Sequence, residues 1–156
     1  MRIAPATHAR LPELAALMAG SALLRRYRVT EKGARASLAK AVGAGDVLLV
    51  ATDGGRAVGF AWLIMNAALD HSAYLRLLLV ASDWRSQGVG AALLDRSERA
   101  ARARKRRHLV LLVTRTNRQA RAFYVRHGYR HVGDLPGFVR PRIDEVLYVK
   151  SWPDRA

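Results

Sequence analysis

The sequence contains no cysteine. That excludes disulfide staples, thiolate metal sites and a cysteine nucleophile. Acids are scarce: 12 Asp and Glu stand against 27 Lys and Arg, giving a formal net charge of +15. Long apolar runs are missing too. The longest nearly apolar stretch, Val58 to Leu69, is interrupted by Gly59 and Asn66, and it falls far short of the ~20 residues that span a bilayer. The opening Met1-Arg2-Ile3-Ala4-Pro5 has no uninterrupted apolar core followed by a small-residue cleavage site. We therefore expect no secretory signal, no membrane partner and a cytoplasmic protein. The five histidines, at 8, 71, 108, 127 and 131, do not cluster with acids at ligand spacing, so no metal site is expected.

What is present fits one globular domain over residues 1–156. A chain of this length buries roughly 70% of its unfolded surface. Its 51% of apolar residues are spread along the whole length, which argues against wholesale disorder. The positive charge is uneven. Between Arg96 and Arg142, fourteen Lys or Arg face only Glu98 and Asp134. Such a field attracts phosphates, nucleic acid or acidic partners. It fits a solvated, Arg-biased surface equally well, since Arg outnumbers Lys 23 to 4.

Along the chain, residues 1–5 read as an edge strand. Thr7 is placed to cap a helix in which Leu11, Leu14, Ala15, Leu17 and Met18 keep helical spacing up to Gly20. Ser21 to Arg28 reads as a short helix or an ordered loop, and Thr30 caps a helix running to Gly43. Asp53-Gly54-Gly55 separates two apolar runs and predicts a hairpin. After a connection over Asn66–His71, Ser72 to Val80 adds a third antiparallel strand. The rhythm then becomes helix (Gly88 to about Arg104), strand (His108–Thr114), helix (Arg118–His127), strand (Tyr129–Gly133) and strand (Ile143–Lys150). The near-continuous apolar run at His108–Thr114 is typical of a strand buried on both faces.

The segment from Leu77 to Ala91 carries the most information. A buried strand ends at Val80, a short loop follows, and Gly88 and Gly90 open a helix. Glycines allow a ligand close to the backbone. A helix N-terminus offers free N–H groups and a positive dipole end to phosphate. A dinucleotide fingerprint needs a third glycine three residues after Gly90, where Leu93 stands, and the Lys-Ser/Thr of a P-loop is missing as well.

Arg85-x-x-Gly88-x-Gly90 resembles the pyrophosphate-binding motif of the GNAT acetyltransferases. Further on, Asn117-x-x-Ala120-x-x-Phe123-Tyr124-x-x-x-Gly128-Tyr129 resembles that superfamily's second motif. The likeness covers about residues 46–150, with residues 1–45 in the usual variable helical region. It implies a GNAT-like α/β fold: a mixed, mostly antiparallel sheet of about seven strands, flanked by about four helices, with a splayed V between strands four and five. It implies acetyl-CoA as the acetyl donor and a primary amine of a small molecule or peptide as the acceptor. Carried over residue by residue, Leu78, Leu79 and Val80 present backbone groups along the pantetheine arm. Arg85, Ser86, Gln87, Gly88, Val89, Gly90 and Ala91 wrap the pyrophosphate, and Asn117 fixes the cofactor near the next helix.

The same resemblance makes Tyr124 the catalytic acid that protonates the departing thiolate. A phenol with a pKa near 10 has that proton available at neutral pH. Asn117 and Tyr124 are about two helical turns apart and share a face. In relatives that modify ribosomal protein N-termini, an acid stands on strand five, five residues before the Asn. Here that position is Leu112, and strand four offers Tyr74 and Arg76 instead. Asp70, His71, Asp144 and Glu145 remain open as bases, alongside a water chain. Trp62, Tyr27, Phe138 and Tyr148 are open as pocket or core residues. Two other function classes stay in view: a nucleic-acid- or ribosome-associated protein using Arg102, Arg104, Lys105, Arg106 and Arg107, and a GNAT-fold protein that binds acyl-CoA without turnover. A homodimer is also left open.

Overall fold

Seven of the chain's segments pair into a single sheet. They are β1 (Arg2–Pro5), β2 (Val47–Asp53), β3 (Arg56–Ala68), β4 (Ser72–Val80), β5 (His108–Thr114), β6 (Arg130–Arg140) and β7 (Ile143–Ser151). The computed structural model describes residues 1–153, with the side chains of residues 66–68 outside the described set. The strand order is β1-β2-β3-β4-β5-β7-β6. Every pairing is antiparallel except that of β4 with β5. The helices are α1 (Leu11–Gly20), the five-residue α2 (Ala22–Arg26), α3 (Glu31–Gly43), α4 (Val89–Ala103) and α5 (Arg118–Arg126). This is the mixed α/β architecture that the two motifs imply.

Alternation along β3 feeds two cores, one on each side of the sheet. Ala61, Leu63 and Met65 pack with Val89, Leu93 and Leu94 of α4. Phe60 and Trp62 pack with Leu14 and Met18 of α1 and with Leu38 of α3. Phe60, Leu14 and Leu38 are fully buried, and each such side chain contributes about 1.5–3 kcal/mol.

Helix starts follow side-chain chemistry, with one correction. Thr30 caps α3 by accepting from the Gly33 amide at 3.1 Å, and Ser21 caps α2 by accepting from Leu24 at 3.4 Å. Thr7 makes no capping bond. The chain first forms a 3₁₀ turn over His8–Arg10, and α1 starts at Leu11 with Pro12 in its first turn, where a missing N–H costs nothing.

Two expected connections are shorter than their composition suggested. The Asn66–His71 loop is a turn at residues 69–71, because β3 continues to Ala68. The expected Gly133–Arg142 loop is mostly strand, since β6 runs on to Arg140. Pro136 and Gly137 fall within this strand, where its register against β7 shifts between Leu135 and Arg140, and β6 lies at the sheet edge. Proline is tolerated there because one side of the strand needs no ladder donor.

One irregularity shapes the centre of the sheet. On β3, Trp62 faces Leu77 while its neighbour Leu63 faces Leu75, so Arg76 is an extra residue on β4. A bulge bends its strand and increases local twist. Pairing of β4 with β5 runs from Ser72↔His108 to Leu75↔Leu111 and ends there. Beyond Arg76, β4 leaves β5, while β5 stays paired with β7 through Thr114↔Glu145. The V therefore begins at the bulge.

Candidate active site

A cavity of about 490 Å³ fills the V and passes between the two faces of the sheet. Asn117, Ala120 and Tyr124 border it from the α5 side; Tyr27, Thr30 and Trp62 border it from the side of α2 and α3.

Tyr124 is held by rings. Phe123 and Tyr129 meet it edge-on at 5.2 and 5.5 Å between centroids. Only 7% of the residue is exposed, and burial raises its phenol pKa well above the ordinary tyrosine value. Its hydroxyl makes no hydrogen bond among the described residues. The phenol thus keeps its proton and has a free donor beside the V.

The loop before α4 is built for an anion. Trp84 and Arg85 donate to Ala81 and Ser82 in a 3₁₀ turn. Ser86 and Gly88 then take left-handed conformations, with φ of 60° and 80°. The Gln87 side chain ties back to the Asp83 carbonyl at 2.8 Å. Among the described residues, the amides of Ser86 through Ala91 donate to no backbone carbonyl. Six successive free amides at the start of a 15-residue helix suit a pyrophosphate. Arg85 lies exposed beside them without an ion-pair partner among the described residues. A Cβ added at Gly90 would meet Phe123 and Val80 at 3.7 Å, an ordinary van der Waals contact, so what Gly90 brings to the loop is its free amide.

Leu78, Leu79 and Val80 pair with Ala61, Phe60 and Gly59 on one edge. Their other edge faces the V with no strand partner, so it offers backbone groups to an extended ligand. Asn117 caps α5 by accepting from the Ala120 amide at 3.1 Å through Oδ1. Its remaining side-chain N–H groups have no partner among the described residues and the residue borders the cavity.

Of the four acidic or histidine candidates, one reaches the cavity. Glu145 is 3% exposed and lines it. On β7, Val146 and Tyr148 point into the α4 side core, so Glu145 faces the opposite side. There the Tyr27 hydroxyl donates to its carboxylate and lies 2.6 Å from Thr114 Oγ1. Burial raises the Glu145 pKa, the Tyr27 hydrogen bond and Arg26 lower it, and Asp144 raises it, with a net upward shift. Asp144 instead pairs with Arg115 at 2.8 Å and accepts from the Gly137 amide at 3.2 Å. Asp70 and His71 sit in the β3–β4 turn, at the paired end of β4 away from the V.

The aromatic candidates divide. Tyr27 and Trp62 line the cavity. Phe138 is exposed on β6 and Tyr148 is buried core. The Arg102–Arg107 cluster lies at the far end of α4 from the free amides, roughly 22 Å away along a helix of this length. Sequence reasoning had passed over Tyr74 and Arg76 as cavity residues and missed Arg28, Thr114 and Arg140. Glu145 stands beside Asp144 at the head of the apolar run Val146-Leu147-Tyr148-Val149, so the sequence offered two adjacent acids and no signal to choose between them. Among the described residues there is no cluster of three or more metal-ligating side chains, and no helix is long and apolar enough to cross a membrane.

Similar chains are found among solved structures. A ribosomal-protein-alanine N-acetyltransferase from Brucella melitensis is 24% identical, with a TM-score of 0.82 over 97% of this chain and 100% of that one. An aminoglycoside 6'-N-acetyltransferase complexed with coenzyme A is 17% identical, with a TM-score of 0.82 over 100% of this chain and 99% of that one. The ribosomal-protein-S18-alanine N-acetyltransferase from Escherichia coli is 21% identical, with a TM-score of 0.81 over 99% and 96%. No curated protein matches the sequence significantly. The family model of the acetyltransferase (GNAT) domain matches residues 44–131, a span that holds β4, the free amides, Asn117 and Tyr124. With a sheet that parts at the β4 bulge and an anion-ready loop beside it, the chain belongs to the GNAT acetyltransferases, and it is an acyltransferase whose donor is acetyl-CoA.

Proposed function

We propose that this protein is a cytoplasmic, single-domain N-acetyltransferase over residues 1–156 that acetylates a primary amine of a small molecule or peptide by direct attack. The last three residues of that span lie outside the described set. The amides of Ser86–Ala91, with Arg85, bind the donor's pyrophosphate. The free edge of Leu78–Val80 and the Asn117 side chain hold its extended arm in the V. Bound there, the donor supplies an activated acyl thioester.

Two groups on opposite sides of the slot serve the transfer. Alkylamines are mostly protonated at neutral pH, and Glu145 accepts the proton that the ammonium must lose before it attacks. Its raised pKa brings it closer to the working range of a general base. Tyr124 donates a proton to the departing sulfur. The observation that carries the reading is the unpartnered hydroxyl of the largely buried Tyr124, which opens onto the cavity in the V. The test is direct: acetyl-CoA should raise the melting temperature, and an amine panel should release CoA thiol. A folded protein that shows no shift at millimolar acetyl-CoA would overturn the proposal.

A further inference from the structure

The charges around the cavity are lopsided. Of the residues that line it, Glu145 is the sole acid, while Arg28, Arg76 and Arg140 are cationic and exposed. Arg140 donates to the Tyr27 carbonyl at 3.0 Å, fastening the β6–β7 hairpin to the end of α2. Arg76 is the notable one. It is the bulge residue where the V opens. Its guanidinium lies 4.8 Å over the Trp62 ring, and that ring is itself fixed by an indole N–H donated to Asp46 at 2.8 Å. No carboxylate pairs with Arg76 among the described residues. Stacking thus holds the planar fork and leaves its N–H donors unused.

Tyr74 lies within the field of both charges. Burial raises its pKa, while Arg76 lowers it and Glu145 raises it. The cavity therefore presents an acceptor with a carboxylate at one place, a phenol near both charges, and an unpaired guanidinium at another.

Resting on the transfer reading above, we propose that the acceptor is an amine that also carries a carboxylate, its ammonium directed to Glu145 and its carboxylate to Arg76. A guanidinium matches a carboxylate through two parallel N–H···O bonds. A polycationic amine offers nothing to this fork and meets repulsion from three arginines. The phosphate groups of the donor do not account for Arg76, because the free amides lie in the loop before α4 and Arg76 lies on the bulge.

The test uses the full-length protein with acetyl-CoA and matched acceptors: free amino acids, the same amino acids as C-terminal amides, and the aminoglycoside kanamycin. Release of CoA thiol gives kcat/KM for transfer. Calorimetry on the CoA-saturated protein gives binding. The free acids should exceed their amides by roughly 10- to 100-fold in kcat/KM, the scale of a lost charge-assisted hydrogen-bond pair. Arg76→Gln should bring that ratio close to one, mainly through KM, and Arg76→Lys should restore part of it. Arg104→Gln, on the far side of α4, should leave the ratio as it was. Equal use of acids and amides, or a preference for kanamycin, overturns the proposal while leaving acetyl transfer intact. Carboxylate-dependent binding lost in Arg76→Gln, without thiol release from any amine, supports the anion subsite and sinks the transfer reading instead. Absence of carboxylate-dependent binding and transfer together also overturns the proposal.

Discussion

Tyr27 donates its phenolic proton to the buried carboxylate of Glu145, joining the end of α2 to β7 across 118 positions of sequence. Burial and the carboxylate raise the Tyr27 pKa to about 12, so the phenol remains a donor throughout the physiological range. The bond opposes the burial that drives the Glu145 pKa upward. Tyr27→Phe removes the opposing influence, so the carboxyl pKa should climb further. If ionised Glu145 takes the amine proton, the acidic limb of the kcat/KM profile should move to higher pH in the variant. A profile that stays in place would show that another group sets that limb.

The same carboxylate should leave a mark on stability. Its folded-state pKa lies above the ordinary glutamate value. Its favourable contribution is therefore complete below the unfolded pKa and is lost as pH rises through the folded one. Glu145→Gln keeps an oxygen to accept from Tyr27 and removes the buried charge. Relative to the parent, the variant should be more stable at pH 7, and this advantage should vanish near pH 4. Urea unfolding at the two pH values checks the sign. An equal effect at both would mean that the charge is not the cause.

These two residues also mark where sequence reading ran out. The strand–loop–helix segment over Leu77–Ala91 was legible because its residues are contiguous and its glycines and helix start obey local rules. β4 and β5 were legible for the same reason: each is a short apolar run with clear ends. The bulge at Arg76 was not, since a register slip depends on how β4 meets β3. Nor was the choice of Glu145 over Asp144. Adjacent residues on a strand face opposite sides, and only the pairing with β5 decides which one enters the V. Residues 1–45 could be read as helices with Tyr27 open as a pocket or core residue, but not its bonds to Thr114 and Glu145, which lie far along the chain.

The anion loop gives a third expectation. Gly88 sits at φ 80°, and a Cβ added there would meet nothing within 4 Å, so its requirement is conformational rather than steric. Gly88→Val should cost roughly 1–2 kcal/mol for the left-handed backbone and disturb the segment that carries the six free amides. Gly90→Asp adds a side chain against Phe123 and Val80 and a negative charge in the first turn of α4. Both variants should lose most of the melting-temperature rise produced by CoA. Differential scanning fluorimetry with and without CoA provides the measurement. A folded Gly90→Asp protein with the parent's shift would mean that the pyrophosphate lies elsewhere.

Tyr124→Phe removes one oxygen and keeps the ring that packs against Phe123 and Tyr129. Because the hydroxyl has no hydrogen-bond partner among the described residues, its loss should change fold stability and CoA affinity little. If that hydroxyl supplies the proton to sulfur, turnover should fall by roughly 10²-fold or more, the scale of lost general acid catalysis. The loss should appear in kcat rather than KM, since the bond strengthens only as charge develops on sulfur. A thiol is a fairly good leaving group, so the comparison needs an acceptor for which chemistry limits the rate. A single-turnover measurement with acetyl-CoA in place isolates that step from product release. Full single-turnover activity in Tyr124→Phe would reduce Tyr124 to a packing residue. The fold and the family would stand, and the acid would have to be sought elsewhere in the V, with the Tyr74 phenol as the next group to replace.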